Sequence, residues 1–187
     1  MQKPIDIWHA EHARFARLLA ALERQLAVFQ GGGEPNYGLM QDILHYLRHY
    51  PDRYHHPRED VAFARLLKRD PTLHREIGQL RQEHRVIAAA GADLLGKLDD
   101  ILNGAIISRD SVEAAAATYL GYYRRHLQSE ERDILPSAQA LLTAEDWAAV
   151  AAAAPPGRDA LFGGDSAFDA RYRALRDEIS LETPAPA

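Results

Sequence analysis

The chain has 187 residues, 47% hydrophobic and 26% charged, which fits one globular domain, or one domain with a short appendage, able to bury a sizeable core. Lys and Arg total 22 against 27 Asp and Glu, a net charge of −5, and without a basic block that is a poor grip for a phosphate backbone, so no nucleic-acid partner is expected. No cysteine is present, which excludes disulfides, thiolate metal ligation and thiol catalysis and leaves nine histidines as the main chemical resource.

The dominant period along the chain is helical. Ile5, Trp8, Phe15, Leu19, Leu22, Leu26 and Phe29 follow one another by threes and fours, and the one missing step is filled by His12. That pattern predicts a bundle helix of about 25 residues, broken by Gln30-Gly31-Gly32-Gly33-Glu34-Pro35-Asn36. A second segment, Tyr37 to Arg69, carries Leu39, Ile43, Leu44, Leu47, Phe63 and Leu66, with Pro51 and Pro57 inside it. Interior prolines remove a hydrogen bond and clash one turn back, so a kink or break is expected between them. Asp70-Pro71-Thr72 supplies a stop and a cap for a third helix. Its seam, Leu73, Ile77, Leu80, His84, Ile87, Gly91, Leu94, Leu98 and Ile101, again puts a histidine at a core step.

Asn103-Gly104 opens the next loop, and Asp110 with Glu113 makes a capping-box-like start for a fourth helix. Its stripe reads Val112, Ala116, Tyr119, Tyr123, His126, Glu130 and Asp133, bending or ending near Pro136. Thr143 to Asp146 caps a short fifth helix through Trp147 and Val150, stopped by Pro155-Pro156; a last helix is expected from Ser166 to about Ile179, then a frayed tail. No stretch alternates as a strand would. The expected architecture is all-α: an antiparallel up-down four-helix bundle over residues 1–142, with a helical extension over 143–187. The extension, with Trp147, Leu161, Phe162 and Phe168, either packs on a bundle face or makes a homodimer contact. No apolar run approaches the ~20 residues that span a bilayer, and no basic-then-apolar signal opens the chain, so a cytoplasmic protein without a membrane partner is expected.

The chemistry sits in an internal repeat. Glu11-His12 is echoed by Glu83-His84, and the downstream run His55-His56-Pro57-Arg58-Glu59-Asp60 is echoed by His126-Leu127-Gln128-Ser129-Glu130-Glu131. His12 precedes His55 by 43 residues and His84 precedes His126 by 42. Two copies of a weak pattern at matched spacing say more than either alone. Residues four apart share a helix face, so His126 and Glu130 converge, as do His55 and Glu59 if the backbone near Pro57 stays helical. The four-residue step favours His55, whereas a break at Pro57 would present His56 instead. Imidazole and carboxylate without thiolate suit non-haem iron rather than copper(I) or structural zinc. Six such ligands are too many for one tetrahedral zinc and suit two metals bridged by two carboxylates. Of the twelve positions on two octahedral irons, four histidines, two bridging carboxylates and a bridging oxide or hydroxide fill ten. One position stays open on each metal, where dioxygen, peroxide or nitric oxide would bind.

Glu-His on the first helix, His-His-Pro-x-Glu-Asp on the second, Glu-His on the third and His-x-x-x-Glu-Glu on the fourth resemble the hemerythrin-like (HHE cation-binding) family over roughly residues 5 to 142. The resemblance implies a four-helix bundle around a non-haem di-iron centre, in proteins linked to oxygen, nitric oxide, peroxide or iron handling. By the match, His12, His55, His84 and His126 are terminal ligands, and Glu59 and Glu130 are the bridges. Oxygen-carrying members have a second histidine four residues from the first on the third helix. Leu80 and Ala88 stand at that distance from His84 here, which argues against reversible oxygen carriage and for a more reactive centre. The cysteine-bearing segment of cluster-repairing members is absent too.

His9, His45, His49 and His74 fall off the seam and read as surface or outer residues, and Asp60 and Glu131 as outer acceptors or solvated charge. Tyr119, Tyr122 and Tyr123 read first as aromatic packing, although Tyr123, three residues before His126, could also donate to a bound oxygen species. A ferritin-like centre requires Glu-x-x-His on two helices, and no glutamate here has a histidine three residues on. The function expected is binding of a small diatomic or peroxide ligand, with a sensing or detoxifying role. The alternative is a non-enzymatic module responding to iron or redox state.

Overall fold

The structure, a computed structural model, describes residues 4–153 together with Tyr172, Leu175 and Arg176. Among these every regular element is helical: α1 (Pro4–Gln30), α2 (Tyr37–Tyr50), α3 (His56–Arg69), α4 (His74–Leu102), α5 (Arg109–Ser129), α6 (Leu135–Leu141) and α7 (Ala144–Ala152). The expected stop at Pro155-Pro156 and the tail lie outside the described residues. So does most of the Ser166–Ile179 helix, of which only Tyr172, Leu175 and Arg176 are described.

The ends form where local chemistry dictates. α1 closes on Gly32, whose φ of 82° suits only a residue without Cβ strain. The Asn36 side chain caps α2 by accepting from the Leu39 N–H at 2.9 Å. Asp70 does the same for Thr72 at 3.0 Å, opening a short 3-10 turn before α4. α5 is capped by Ser108, which accepts from the Ser111 N–H; Asp110, expected as the cap, falls in the first turn, where its charge suits the helix dipole.

The prolines do not break the chain. α2 runs into α3 through a π turn, Pro51–His55, and α5 into α6 through another, Glu130–Ile134. In each turn the amide one residue past the end donates back to the first residue's carbonyl, His56 to Pro51 and Leu135 to Glu130. Pro57 and Pro136 each stand two residues beyond a π turn. The wider turn relieves the clash with the preceding carbonyl that an α-turn would impose, so the helical run continues where a kink or break was expected, with the irregularity taken up by the π turn. The extra residue also shifts the register: after Glu130 the next buried position is Ile134, while Asp133 turns outward.

α1 packs on α2, α2 on α4, α4 on α5 and α5 back on α1. Two apolar clusters fill the interior. The larger includes Phe15, Leu22, Ile43, Leu94, Tyr119 and Tyr123, the smaller Trp8, Phe63, Leu66, Leu80 and Ile134. Every chemistry-bearing residue falls at the boundary between them: His12 between Trp8 and Phe15, Glu59 before Phe63, His84 between Leu80 and Ile87, His126 and Glu130 between Tyr123 and Ile134. Tyr172 and Leu175 join the larger cluster, Tyr172 lying edge-on to Tyr46.

α7 lies against α3. Thr143 and Asp146 form the expected capping box, Asp146 accepts from Arg65 at 3.0 Å and Arg69 at 2.8 Å, and Trp147 meets Trp8 edge-on. The Thr143 amide and hydroxyl, with both arginines, hold the Asp146 carboxyl below the usual aspartate range. A depressed folded-state pKa contributes stability above the unfolded value of about 3.9 and loses it as pH falls further. Asp146→Asn is therefore expected to loosen α7 at neutral pH, read as a red-shifted tryptophan emission, whereas the wild-type chain shifts only below about pH 4.

Candidate metal centre

Seven side chains meet in the polar layer, in two groups that share one member. His12, His55, Glu59 and Glu130 form one; His56, Glu59, His84 and His126 form the other. Within each group the ligand-type atoms lie within 4.8 Å of one another. The Nε2 atoms of His12 and His55 are 2.9 Å apart, and those of His84 and His126 are 3.0 Å apart. Imidazole nitrogens about 2.1 Å from one metal and at right angles to each other would be about 3.0 Å apart. Glu59 Oε1 is 2.7 Å from His55 Nε2 and 3.5 Å from His12 Nε2, whereas Oε2 is 3.5 Å from His84 Nε2. Glu130 Oε2 stands between the groups, 3.5 Å from His12 and 3.4 Å from His126.

All four oxygens of Glu59 and Glu130 are buried without a hydrogen-bond partner, despite the nearby imidazole nitrogens. Unpaired carboxylate oxygens in a dry interior cost several kcal/mol, so these are groups waiting for cations rather than for each other. The donor set fits metal.

The outer nitrogens are held in turn. Glu11 accepts from His55 Nδ1 at 2.7 Å and is itself fixed by Arg58 and by the Tyr50 hydroxyl. In the second half of the repeat Glu83 faces His126 Nδ1 at 3.4 Å, close enough for charge attraction but without a hydrogen bond, and is fixed by Arg125 and Gln79. The glutamate before each lone histidine thus serves the histidine of the partner helix. Glu131 takes His12 Nδ1 at 2.7 Å and Asp52 takes His56 Nδ1 at 3.0 Å. These contacts turn Nε2 inward on each ring, and such carboxylate partners fix ring orientation and raise basicity. Asp60, the counterpart of Glu131, instead faces Arg81 at the surface.

His9 reaches the centre only indirectly, donating to Glu131 at 2.6 Å from an exposed position. Because Glu131 keeps its own bond to His12, His9→Ala is expected to leave metal content per chain unchanged. A loss on metal analysis would put His9 in the centre. His49 and His74 are exposed and His45 is half-buried.

Electrostatics without a cation are lopsided. Burial disfavours a charged His12, but Glu131, Glu59 and Glu130 outweigh it and push it up to about 10. Burial, with His84 adding to it, pulls His126 down to about 4 against the opposing Glu83. Burial opposes ionisation of Glu59, yet His55, His12 and His84 hold it well below the carboxylate range; burial and the Glu59 charge push Glu130 well above. A cation held between these groups would favour the ionised form of Glu130 and compete with the proton on His12.

All six residues read from the repeat, His12, His55, Glu59, His84, His126 and Glu130, come together. His55 and His56 are alternatives by spacing, but both enter, one in each group, and both are buried. The doubled His-His is the available signal for a seventh member. Glu11 and Glu83 are visible as a repeat, but not as partners of the opposite histidine.

The Hemerythrin HHE cation binding domain matches residues 3–138. The chain belongs to the hemerythrin HHE family. Membership carries cation binding, and the two His/Glu groups of this hemerythrin domain are where metal could be held. Comparison with curated proteins and with solved structures finds no match. No described helix is long and apolar enough to cross a membrane.

Proposed function

We propose that this hemerythrin domain is an antiparallel up-down four-helix bundle holding two iron ions. His12, His55 and Glu130 would serve one, His56, His84 and His126 the other, and Glu59 would bridge them. The observation that carries this reading is the position of Glu59, whose two oxygens face different histidine groups at the boundary between the core clusters. Nitrogen and oxygen donors without thiolate favour iron over copper(I) or structural zinc. His56 adds a fifth histidine to the four counted from the repeat, while Glu130, counted on one metal only, gives up the second position of a bridge, so one position would still stay open on each metal to a small ligand: dioxygen, nitric oxide or peroxide.

Iron supplies the redox chemistry at that position. The chain orients and encloses. Glu11, Glu83, Glu131 and Asp52 aim the imidazoles inward, and the flanking apolar clusters keep water from the carboxylates. No side chain in the layer is arranged as a separate nucleophile.

Metal analysis with a visible spectrum of freshly purified protein tests the reading, which requires about two irons per chain and absorption that changes when a small ligand is added. A chain isolated with zinc alone, or with no metal after loading, would refute it. Steady consumption of peroxide or nitric oxide then assigns a detoxifying enzyme, and stoichiometric binding with a change in shape assigns a sensor.

A further inference from the structure

We propose that Tyr123 is the hydrogen-bond donor this centre turns toward the outer atom of its ligand, so that the site selects small ligands ending in a proton-accepting, anionic atom. The inference rests on the ligand-binding reading above and adds to it the residue that sets specificity. Tyr123 is 1% exposed, and its hydroxyl is buried with no partner. A phenol in the interior normally has one, because an unpaired buried hydroxyl costs free energy. Its position gives that hydroxyl a use. Tyr123 lies one turn before His126 on the inward stripe of α5. Its ring packs on Phe15 at 6.4 Å between centroids, and Phe15 in turn lies edge-on to His55 at 5.1 Å and close to His12 at 6.3 Å.

Tyr123 therefore forms part of the wall that the larger apolar cluster presents to the metal layer. Burial raises the phenol well above its ordinary range, and Tyr119, Asp52, Glu59 and Glu130 add to the rise, so it is a neutral donor within the field of both central carboxylates. Tyr119 supplies the contrast. It is equally buried, its hydroxyl is equally unpartnered, and it meets Tyr123 edge-on at 5.6 Å. Yet the charges that act on it are those of Asp52 and Arg48, not of Glu59 and Glu130. Tyr119 also stands one turn farther from His126 along α5, and it is Tyr123 whose ring packs on Phe15 beside His12 and His55, so Tyr123 is the nearer of the two to the layer. The outer nitrogens of His12, His55 and His56 are already engaged with Glu131, Glu11 and Asp52, which leaves them no hydrogen to offer the ligand.

The probe is azide, added to iron-loaded full-length protein and followed by visible absorption, with wild type, Tyr123→Phe and Tyr119→Phe compared at matched metal content. Tyr123→Phe is expected to weaken azide binding on the order of tenfold, the loss of one hydrogen bond to a charged acceptor, and Tyr119→Phe by less than about twofold. In the metal-free protein Tyr123→Phe is expected to keep or raise the melting temperature, because the deleted hydroxyl has no partner there. Equal azide affinity in Tyr123→Phe and wild type, or equal losses in both variants, overturns the proposal. A lowered metal-free melting temperature with unchanged azide affinity makes the hydroxyl structural and overturns it too. Loss of iron in Tyr123→Phe would make the tyrosine a metal ligand, again overturning it. An iron-loaded wild type that takes no azide removes the ligand-binding reading itself.

Discussion

Glu59→Ala is expected to take the chain from about two bound metals to nearly none, while Glu130→Ala is expected to keep about one. The asymmetry follows from membership. Glu59 belongs to both groups, whereas Glu130 belongs only to the one with His12 and His55. Without Glu130 the group of His56, Glu59, His84 and His126 keeps all four members; without Glu59 each group loses a charged donor. Removing even an outer partner of a metal ligand typically costs about 10–100-fold in affinity, and a charged donor common to two sites costs more at each. His84→Ala should resemble Glu130→Ala, emptying the group it belongs to. Helix content should survive in all three, because the layer is flanked by two apolar clusters that do not depend on it. The stability that metal adds should fall with the metal bound. A ligand that binds only the folded chain adds about 4 kcal/mol at a thousandfold excess over its dissociation constant, and that increment should vanish in Glu59→Ala. Metal analysis per chain, with thermal melts before and after chelation, checks both halves. Two metals retained by Glu59→Ala would remove the bridge from the centre.

Much of this layout is legible in the amino-acid sequence, for a physical reason. A helix seam of threes and fours has no slack, so a polar residue at a core step is conspicuous, and His12 and His84 declare themselves by interrupting apolar stripes. The matched spacing then points to their partners, and Thr143 with Asp146 is a cap written entirely in local sequence. Single-residue insertions are not legible in the same way. Periodicity averages over several turns, whereas a π turn is a local event that depends on whether packing rewards the shift. Pro51 and Pro57 therefore read as a kink or break, though the wider turn accommodates them. The stripe of α5 reads on to Asp133, though the turn at Glu130 passes the core position to Ile134. The same averaging forces a choice between His55 and His56, because one site is expected to take one histidine from that helix. Two adjacent sites can take consecutive residues, one each. The pairing of Glu11 with His55 and of Glu83 with His126 is out of reach of the sequence for another reason: it depends on which helices neighbour which.

Gly91→Ala is expected to destabilise the protein, although alanine is the better helix former by about 1 kcal/mol. Gly91 lies in the middle of the α4 seam, and a Cβ built there would come 2.9 Å from Tyr119 Cε2 and 3.3 Å from Arg48 Cδ. Arg48 is the flexible neighbour and could give way. Tyr119 cannot, since its ring is 0% exposed and Tyr123 lies against it. Overpacking a filled interior costs about 1–3 kcal/mol, which exceeds the propensity gain and grows with side-chain size, so Gly91→Leu should be worse than Gly91→Ala. At roughly 2–4 °C of melting temperature per kcal/mol for a chain of this size, alanine should cost a few degrees and leucine considerably more. The cause can be isolated by changing the neighbour. In a Tyr119→Leu background the ring is gone, and the step from Gly91 to Ala should become neutral or stabilising; a coupling of about 0.5–3 kcal/mol is usual for residues in contact. If alanine costs as much without the ring as with it, the glycine is required by something other than the close approach of α5.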